Sequence, residues 1–220
     1  MKLILDIPYP LLSTFEPYSD AEHILLNMVK NEEYSKHFLN NKKKERWLGY
    51  LADAALPDIT PDYIIDCVYK FEPDYVLSPF SSASSSNIVA VERFKSLIEK
   101  KGFKVKLIAR WAGAMWELPI LKNMVDLIGI AHVFFRDKIN QEFETSKCHF
   151  FGYKYKDEAL RLNPVSMNTS VPIRAAAIGI SLRNRSRRPK GLNDFNPNQR
   201  LIYKEQIDLA IDNIKYIKEE

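Results

Sequence analysis

The stretch Val165-Ser166-Met167-Asn168-Thr169-Ser170-Val171-Pro172-Ile173-Arg174, with Ala175-Ala176-Ala177-Ile178-Gly179-Ile180 behind it, sets the reading of the whole chain. A short apolar and β-branched run meets small polar residues, then Pro172, then an alanine-rich segment. That order reads as a strand ending and a helix or loop beginning. Residues at strand ends of an α/β fold point into its ligand site. Asn168, Thr169, Ser170 and Arg174 are therefore the first candidates for ligand contact. The plainer alternative is that Asn168 and Ser170 only cap the next element, as such residues do at helix starts.

Outward from this stretch the same rhythm recurs. Buried strands are predicted at Lys2 to Ile7, stopped by Pro8 and Pro10, and at Trp47 to Ala52, ending on Asp53. Further strands are predicted at Asp74 to Pro79, Val105 to Ala109, Leu127 to Ala131, Cys148 to Gly152 and Val165 to Thr169. Between them lie helical patterns. Ala21, Ile24, Leu25, Met28 and Val29 fall at helical spacing behind Ser19-x-x-Glu22, which has the form of a capping box. Tyr63, Ile64, Cys67, Val68 and Phe71 form a stripe ended by Pro73, and Val89 to Lys101 is closed by Gly102. Met115 to Met124, Arg136 to Phe143, Asp157 to Leu162 and Leu201 to Ile217 complete the helices. Ser81 to Asn87 reads as a flexible serine loop, since it lacks the glycine-lysine pattern of a phosphate loop.

Strand and helix in alternation predict a parallel sheet. The expected fold is α/β, a compact (β/α) barrel of TIM type, whole or modified, with an open doubly wound sheet as the alternative. One domain spanning 1–220 is expected, with a basic loop at 181–200 and a C-terminal helix at 201–217. The strand ends then nominate Asp6 and Asp53 as carboxylates, and Arg110 with Trp111 as a clamp for a planar base. His23 and His37 lie in helical patterns without partners at metal-ligand spacing and read as surface or packing histidines.

A chain of 220 residues with 46% hydrophobic and 27% charged content has enough apolar residues for a large core. Its two cysteines, Cys67 and Cys148, lie far apart and form no zinc-ligand pattern, so neither a disulfide framework nor a metal is expected. The apolar run at the start is too short and too polar for a signal peptide or a membrane span, and a cytoplasmic protein is expected. The formal charge is only +4, but Arg174, Arg183, Arg185, Arg187, Arg188 and Lys190 concentrate positive charge in one stretch. Arg183, Arg185, Arg187, Arg188 and Lys190 form either a strip for a nucleic-acid backbone or a solvated basic loop.

In their order and spacing the strand ends resemble the queuine tRNA-ribosyltransferase superfamily, above all its phage and bacterial relatives that insert 7-deazaguanine bases into DNA. Asn31 to Phe38 followed by Trp47 to Asp53 resembles that group's helix before a strand ending in Asp-Asn-Gly-Ala. Pro73-Asp74-Tyr75-Val76-Leu77-Ser78-Pro79 is similar to its Pro-Asp-Tyr-Val strand, and Leu127-Ile128-Gly129-Ile130 to its Ile-Gly-Ile strand. His149-Phe150-Phe151-Gly152 resembles its His-Leu-Leu-Gly, and Asn168-Thr169-Ser170-Val171-Pro172 its Asp-Thr-Ser-x-Pro. The resemblance covers most of the chain.

It implies a modified barrel that exchanges a guanine base in a polynucleotide, DNA or tRNA, without a cofactor. One aspartate would attack the ribosyl carbon to form a covalent intermediate, and another would act as general acid and base. By this resemblance Asp53 is the acid/base, while the nucleophile's position is Asn168, a neutral amide. Asp6 is the candidate to supply the displaced carboxylate. Substrate contacts are implied at Ser78, Phe80, Arg110, Trp111, Gly129, His132, Thr169, Ser170 and Arg174. The chain departs further from the family pattern, because Phe80 replaces a base-recognising aspartate, Arg110-Trp111 replaces Gln-Gly, and the family's zinc motif is missing. This leaves two readings. The chain is a base-exchanging transglycosylase, or it is a catalytically impaired barrel that binds a nucleobase, nucleotide or nucleic acid, or that pairs with an active homologue in a dimer.

Overall fold

The computed structural model describes residues 1–39, 44–49, 59–130, 145–152, 156–184, 192 and 195–219. In chain order these form β1 (Lys2–Leu5), the short α1 (Leu12–Phe15), β2 (Glu22–Leu25), α2 (Glu32–Leu39), β3 (Arg46–Gly49), α3 (Pro61–Phe71) and β4 (Tyr75–Leu77). Next come α4 (Ser84–Lys100), β5 (Lys106–Arg110), α5 (Glu117–Met124), β6 (Leu127–Ile130) and β7 (Cys148–Phe151). The chain closes with α6 (Lys156–Leu162), β8 (Ser166–Thr169), α7 (Val171–Ala177) and α8 (Lys204–Lys218). All eight strands lie in one sheet in the order β1-β8-β7-β6-β5-β4-β3-β2, and every ladder is parallel. The architecture is a nearly closed (β/α) barrel with helices outside.

The first and last strands of that order meet at a seam. Here the Asp20 amide donates to Leu3 O at 2.9 Å, and the Asp20 carboxylate accepts from Leu3 N at 2.7 Å. The same device joins neighbours that do form a ladder. Asp74 donates to Arg46 O and accepts from Arg46 N, and Asp126 donates to Leu107 O and accepts from Leu107 N. Each of these aspartates stands just before an even-numbered strand and clips it to the start of a neighbouring strand. Ser19 adds a second stitch at the seam, because its hydroxyl accepts from Leu5 N and donates to Ala21 O. Lys218, at the end of α8, reaches Asp20 from outside at 2.5 Å.

Two expectations are corrected here. Ala21 to Val29 is not a helix, because Glu22–Leu25 pairs with β3 and its residues are sequestered on both faces of the sheet. Ser19 does not cap a helix but bonds across the seam. The serine run is not all loop either, since Ser84 begins α4, and the Asn87 side chain ties that turn to the end of β5 through Arg110 O. The predicted helix at Arg136 to Phe143 and most of the basic loop at 181–200 lie outside the described residues.

Residues at matched register in parallel strands share a face, and faces alternate along each strand. The pairings His23↔Trp47, Trp47↔Tyr75, Gly129↔His149, His149↔Ser166 and Phe151↔Asn168 therefore place one set of side chains inside the barrel. Their contacts agree. Trp47 stacks on Tyr75 with centroids 4.2 Å apart, and His149 lies 5.0 Å from Trp47 and 4.7 Å from Phe151. Barrel interiors are usually filled by branched aliphatic residues. This one adds aromatic and polar side chains to aliphatic ones such as Ile4, Leu77 and Ile108.

The outer face is anchored by charge. Arg46 pairs with Glu22 at 2.7 Å while its guanidinium donates to Phe38 O and Phe71 O, near the ends of α2 and α3. At the far side the buried Asn213 of α8 donates to Pro172 O and Ile180 O and accepts from Leu182 N, which fixes α8 against both ends of α7. Among the described residues no helix is long and apolar enough to cross a membrane.

Candidate functional site

Five interior side chains from four strands form one hydrogen-bonded line. Asp6, the residue after β1, is 4% exposed and receives the Asn168 amide at 2.9 and 3.0 Å on its two oxygens. His23 Nδ1 lies 2.6 Å from Asp6 Oδ1. Behind Asn168, its Oδ1 lies 3.1 Å from His149 Nε2, and His149 Nδ1 lies 2.9 Å from Ser166 Oγ. All of these side chains are buried.

The donors and acceptors follow from chemistry. An ionised carboxylate only accepts, so with Asp6 ionised His23 Nδ1 carries a proton and the Asn168 amide nitrogen faces Asp6. The Asn168 oxygen must then accept from His149, which is protonated on Nε2. A neutral His149 in turn accepts from the Ser166 hydroxyl on Nδ1. Each donor in the line meets an acceptor, and the carboxylate is held by three contacts drawn from both ends of the chain. Ser170 stands at the N-cap position of α7 without a capping bond from its side chain, and the Oγ1 of Thr169 accepts from Val171 N at 3.0 Å instead.

Glycines shape the space around this line. A Cβ at Gly129 would sit 2.4 Å from the Phe151 ring, so the glycine exists to let that ring cross β6. A Cβ at Gly49 would sit 3.2 Å from His23 Nε2 and 3.6 Å from Leu77 Cβ, and the φ of Gly49 is not positive. Its lack of a side chain is thus a matter of room rather than of backbone conformation.

The other sequence candidates separate into groups. Arg110, at the end of β5, lies over the Phe80 ring at 4.4 Å, and both are half-buried. Ser78 is buried at the end of β4, with its amide donating to Ile108 O. Trp111 is no clamp at the mouth, because it is 3% exposed and its indole N–H donates to Ala114 O at 2.8 Å. Arg174 reaches Leu192 O at 3.2 Å and Ser170 Oγ at 3.5 Å. Arg183 is bound into α8, where it pairs with Asp212 at 3.0 Å and Glu219 at 2.6 Å. Asp53, His132, Arg185, Arg187, Arg188 and Lys190 lie outside the described residues. Among the described residues no group of His, Cys, Asp and Glu is arranged to hold a metal ion.

Three members of the line, His23, His149 and Ser166, are not evident as site residues from the sequence. His23 stands on a strand and faces inward, not on a helix surface, and His149 enters only as part of a family motif. Alternation signals His149, since it lies two residues from Phe151 and shares its face. For His23 the signal is Asp20 before an apolar run, the pattern that also precedes β4 and β6.

No protein-family model matches the sequence, and no curated protein matches it. Similar solved structures include N-(5'-phosphoribosyl)anthranilate isomerase from Pyrococcus furiosus, with 10% identity, TM-score 0.53, and coverage of 98% of this chain and 97% of that one. Another is the magnesium complex of beta-methylaspartase from Clostridium tetanomorphum, with 7% identity, TM-score 0.52, and 99% of this chain covering 58% of that one. At such identities the likeness is one of fold alone.

Proposed function

We propose that this barrel catalyses N-glycosidic base exchange at a guanine-type base of a polynucleotide, with the Asp6 carboxylate as nucleophile. The observation that carries the reading is the contact between Asp6 and Asn168, 2.9 and 3.0 Å long. Asn168 occupies the position where the resemblance to queuine tRNA-ribosyltransferases calls for an attacking aspartate. A carboxylate one hydrogen bond away takes over that task from the next strand of the barrel.

The surroundings suit the role. Asn168 and His23 aim the carboxylate into the barrel, and a nucleophile held in a fixed rotamer loses little freedom on reaching the transition state. His149 and Ser166 fix the amide in turn. Arg110 over Phe80 offers a flat cationic surface at the end of β5 for a base or a phosphate. Asp53, to which the resemblance gives the acid/base role, lies outside the described residues.

The test is incubation of the full chain with radiolabelled guanine and either a single-stranded oligodeoxynucleotide or a tRNA. Label should enter one of the two, and intact-protein mass spectrometry should find a protein–polynucleotide adduct. Asp6→Asn should abolish both signals. An inert native protein in which Asn168→Asp creates the adduct would instead mark a disabled relative that binds nucleic acid or an active partner.

A further inference from the structure

We infer that His23 is the residue that moves the proton on and off the exchanging base through its Nε2, beside which Gly49 carries no side chain. The inference rests on the base-exchange reading and gives to His23 the proton transfer that the resemblance assigns to Asp53. Three observations place the imidazole. Its Nδ1 is engaged by Asp6 at 2.6 Å, so Nε2 is the ring nitrogen that remains for a substrate. Its side chain is 7% exposed and its strand position is fixed, because Tyr34 bonds the backbone just after it, donating to His23 O and accepting from Leu25 N. Directly before Nε2, Gly49 presents no side chain although its φ would admit one.

A glycine inside a strand weakens it and normally marks a close approach. Here the approach is to the imidazole nitrogen. Any other residue at position 49 would put a carbon 3.2 Å from Nε2 and crowd that nitrogen. The remaining ionisable neighbours have their own places: Asp6 faces Nδ1, the Tyr34 hydroxyl serves the backbone, and His149 is separated by Asn168.

The spacing suits a double displacement. Nε2 lies one imidazole ring beyond the Asp6 contact, on the order of the ~5 Å that retaining glycosidases keep between nucleophile and acid. In the first step an Asp6 oxygen bonds to C1′ and the bond from C1′ to the base nitrogen breaks. The electron pair leaves with the base, which takes a proton from Nε2. His23 enters this step with a proton on both ring nitrogens, so the imidazole is left neutral with its Nδ1 proton still donated to Asp6. In the second step the incoming base returns its N–H proton to Nε2, its nitrogen bonds to C1′, and Asp6 departs as a carboxylate.

The experiment compares the native chain, His23→Gln, Gly49→Ala and Asp6→Asn on two oligodeoxynucleotides, one carrying guanine and one carrying 7-methylguanine at the same position. A 7-methylated base is already cationic while attached and leaves neutral without a proton. His23→Gln should form adduct on guanine roughly 10²- to 10⁴-fold more slowly than the native chain, the usual range for loss of a general acid. On 7-methylguanine it should recover to near the native rate, while Asp6→Asn stays inactive on both. Gly49→Ala, which keeps the histidine, should fold and fail on guanine. Equal slowing of His23→Gln on both bases, or native rates in both His23→Gln and Gly49→Ala, would overturn the assignment while leaving base exchange in place. Inertness of the native chain on both oligonucleotides and on tRNA would sink the two readings together.

Discussion

Gly129 and Phe151 illustrate how single residues set the shape of this interior. The ring of Phe151 occupies the volume that a side chain on β6 would fill, at 2.4 Å from the missing Cβ. Gly129→Ala should therefore be destabilising by about 1–3 kcal/mol through overpacking, and Phe151→Leu in the same chain should recover part of that loss. Urea denaturation of the two single variants and the double variant measures it; strict additivity would show that the two residues do not compete for one space. Cys148, on the outer face of β7, gives a pH-dependent counterpart. Burial pushes its thiol up from the ordinary 9.0 to about 12. The unfolded chain loses this proton first, so the stability it confers is complete below about pH 9 and is lost as pH rises toward 12. Cys148→Ala should start from a lower stability but fall less steeply between about pH 8 and pH 10. A parallel fall would place the titrating group elsewhere, for instance at Cys67, which burial also raises.

At the scale of elements, the aspartates before β2, β4 and β6 do what a ladder alone does not. Each turns its own amide and its carboxylate onto a single residue of the neighbouring strand, which sets the register within the first two residues of that strand. Asp74→Ala would leave the buried amide of Arg46 without its acceptor, and a cost of about 1–3 kcal/mol is expected. Asp74→Asn should recover most of it, because an amide oxygen accepts as well. Thermal melts of the two variants decide the point, and equal losses would show that charge rather than the bond matters.

This device also explains what can be read from the sequence. Seven strands are legible because each is a short apolar run with turn residues on both sides. β2 is not, because Ala21, Ile24, Leu25, Met28 and Val29 happen to fall at helical spacing and Ser19 stands three residues before Glu22. A capping box and a seam stitch use the same residue types, and only the parallel partner β3 distinguishes them. Reading β2 as helix moves His23 from the barrel interior to a surface. Asp6 and Asn168 stay legible, since both sit at strand ends that the sequence locates. Their contact does not, as 162 residues separate them in the chain.

For the whole molecule, the consequence of that separation is that the site exists only when the barrel is closed. Asp6 comes from the first strand, Asn168 from the last, and the seam between β1 and β2 lies beside them. The wall behind this region is α8, held by the Asn213 amide through three backbone groups of α7 and the segment after it. Asn213→Ala removes all three bonds inside the core and leaves Leu182 N, Pro172 O and Ile180 O without that partner. Pro172 O keeps its place in the α7 ladder, so Leu182 N and Ile180 O are the groups left unsatisfied, and at about 1–3 kcal/mol for each buried group the loss should be at least about 2 kcal/mol. A barrel that folds as one unit would lose this stability everywhere at once. Unfolding followed by the fluorescence of Trp47 inside the barrel and by far-ultraviolet circular dichroism should then shift to lower urea together, with coincident curves. If the two curves separate in Asn213→Ala, with Trp47 still shielded while helix is lost, α8 is an independent cover and the eight strands hold the site without it.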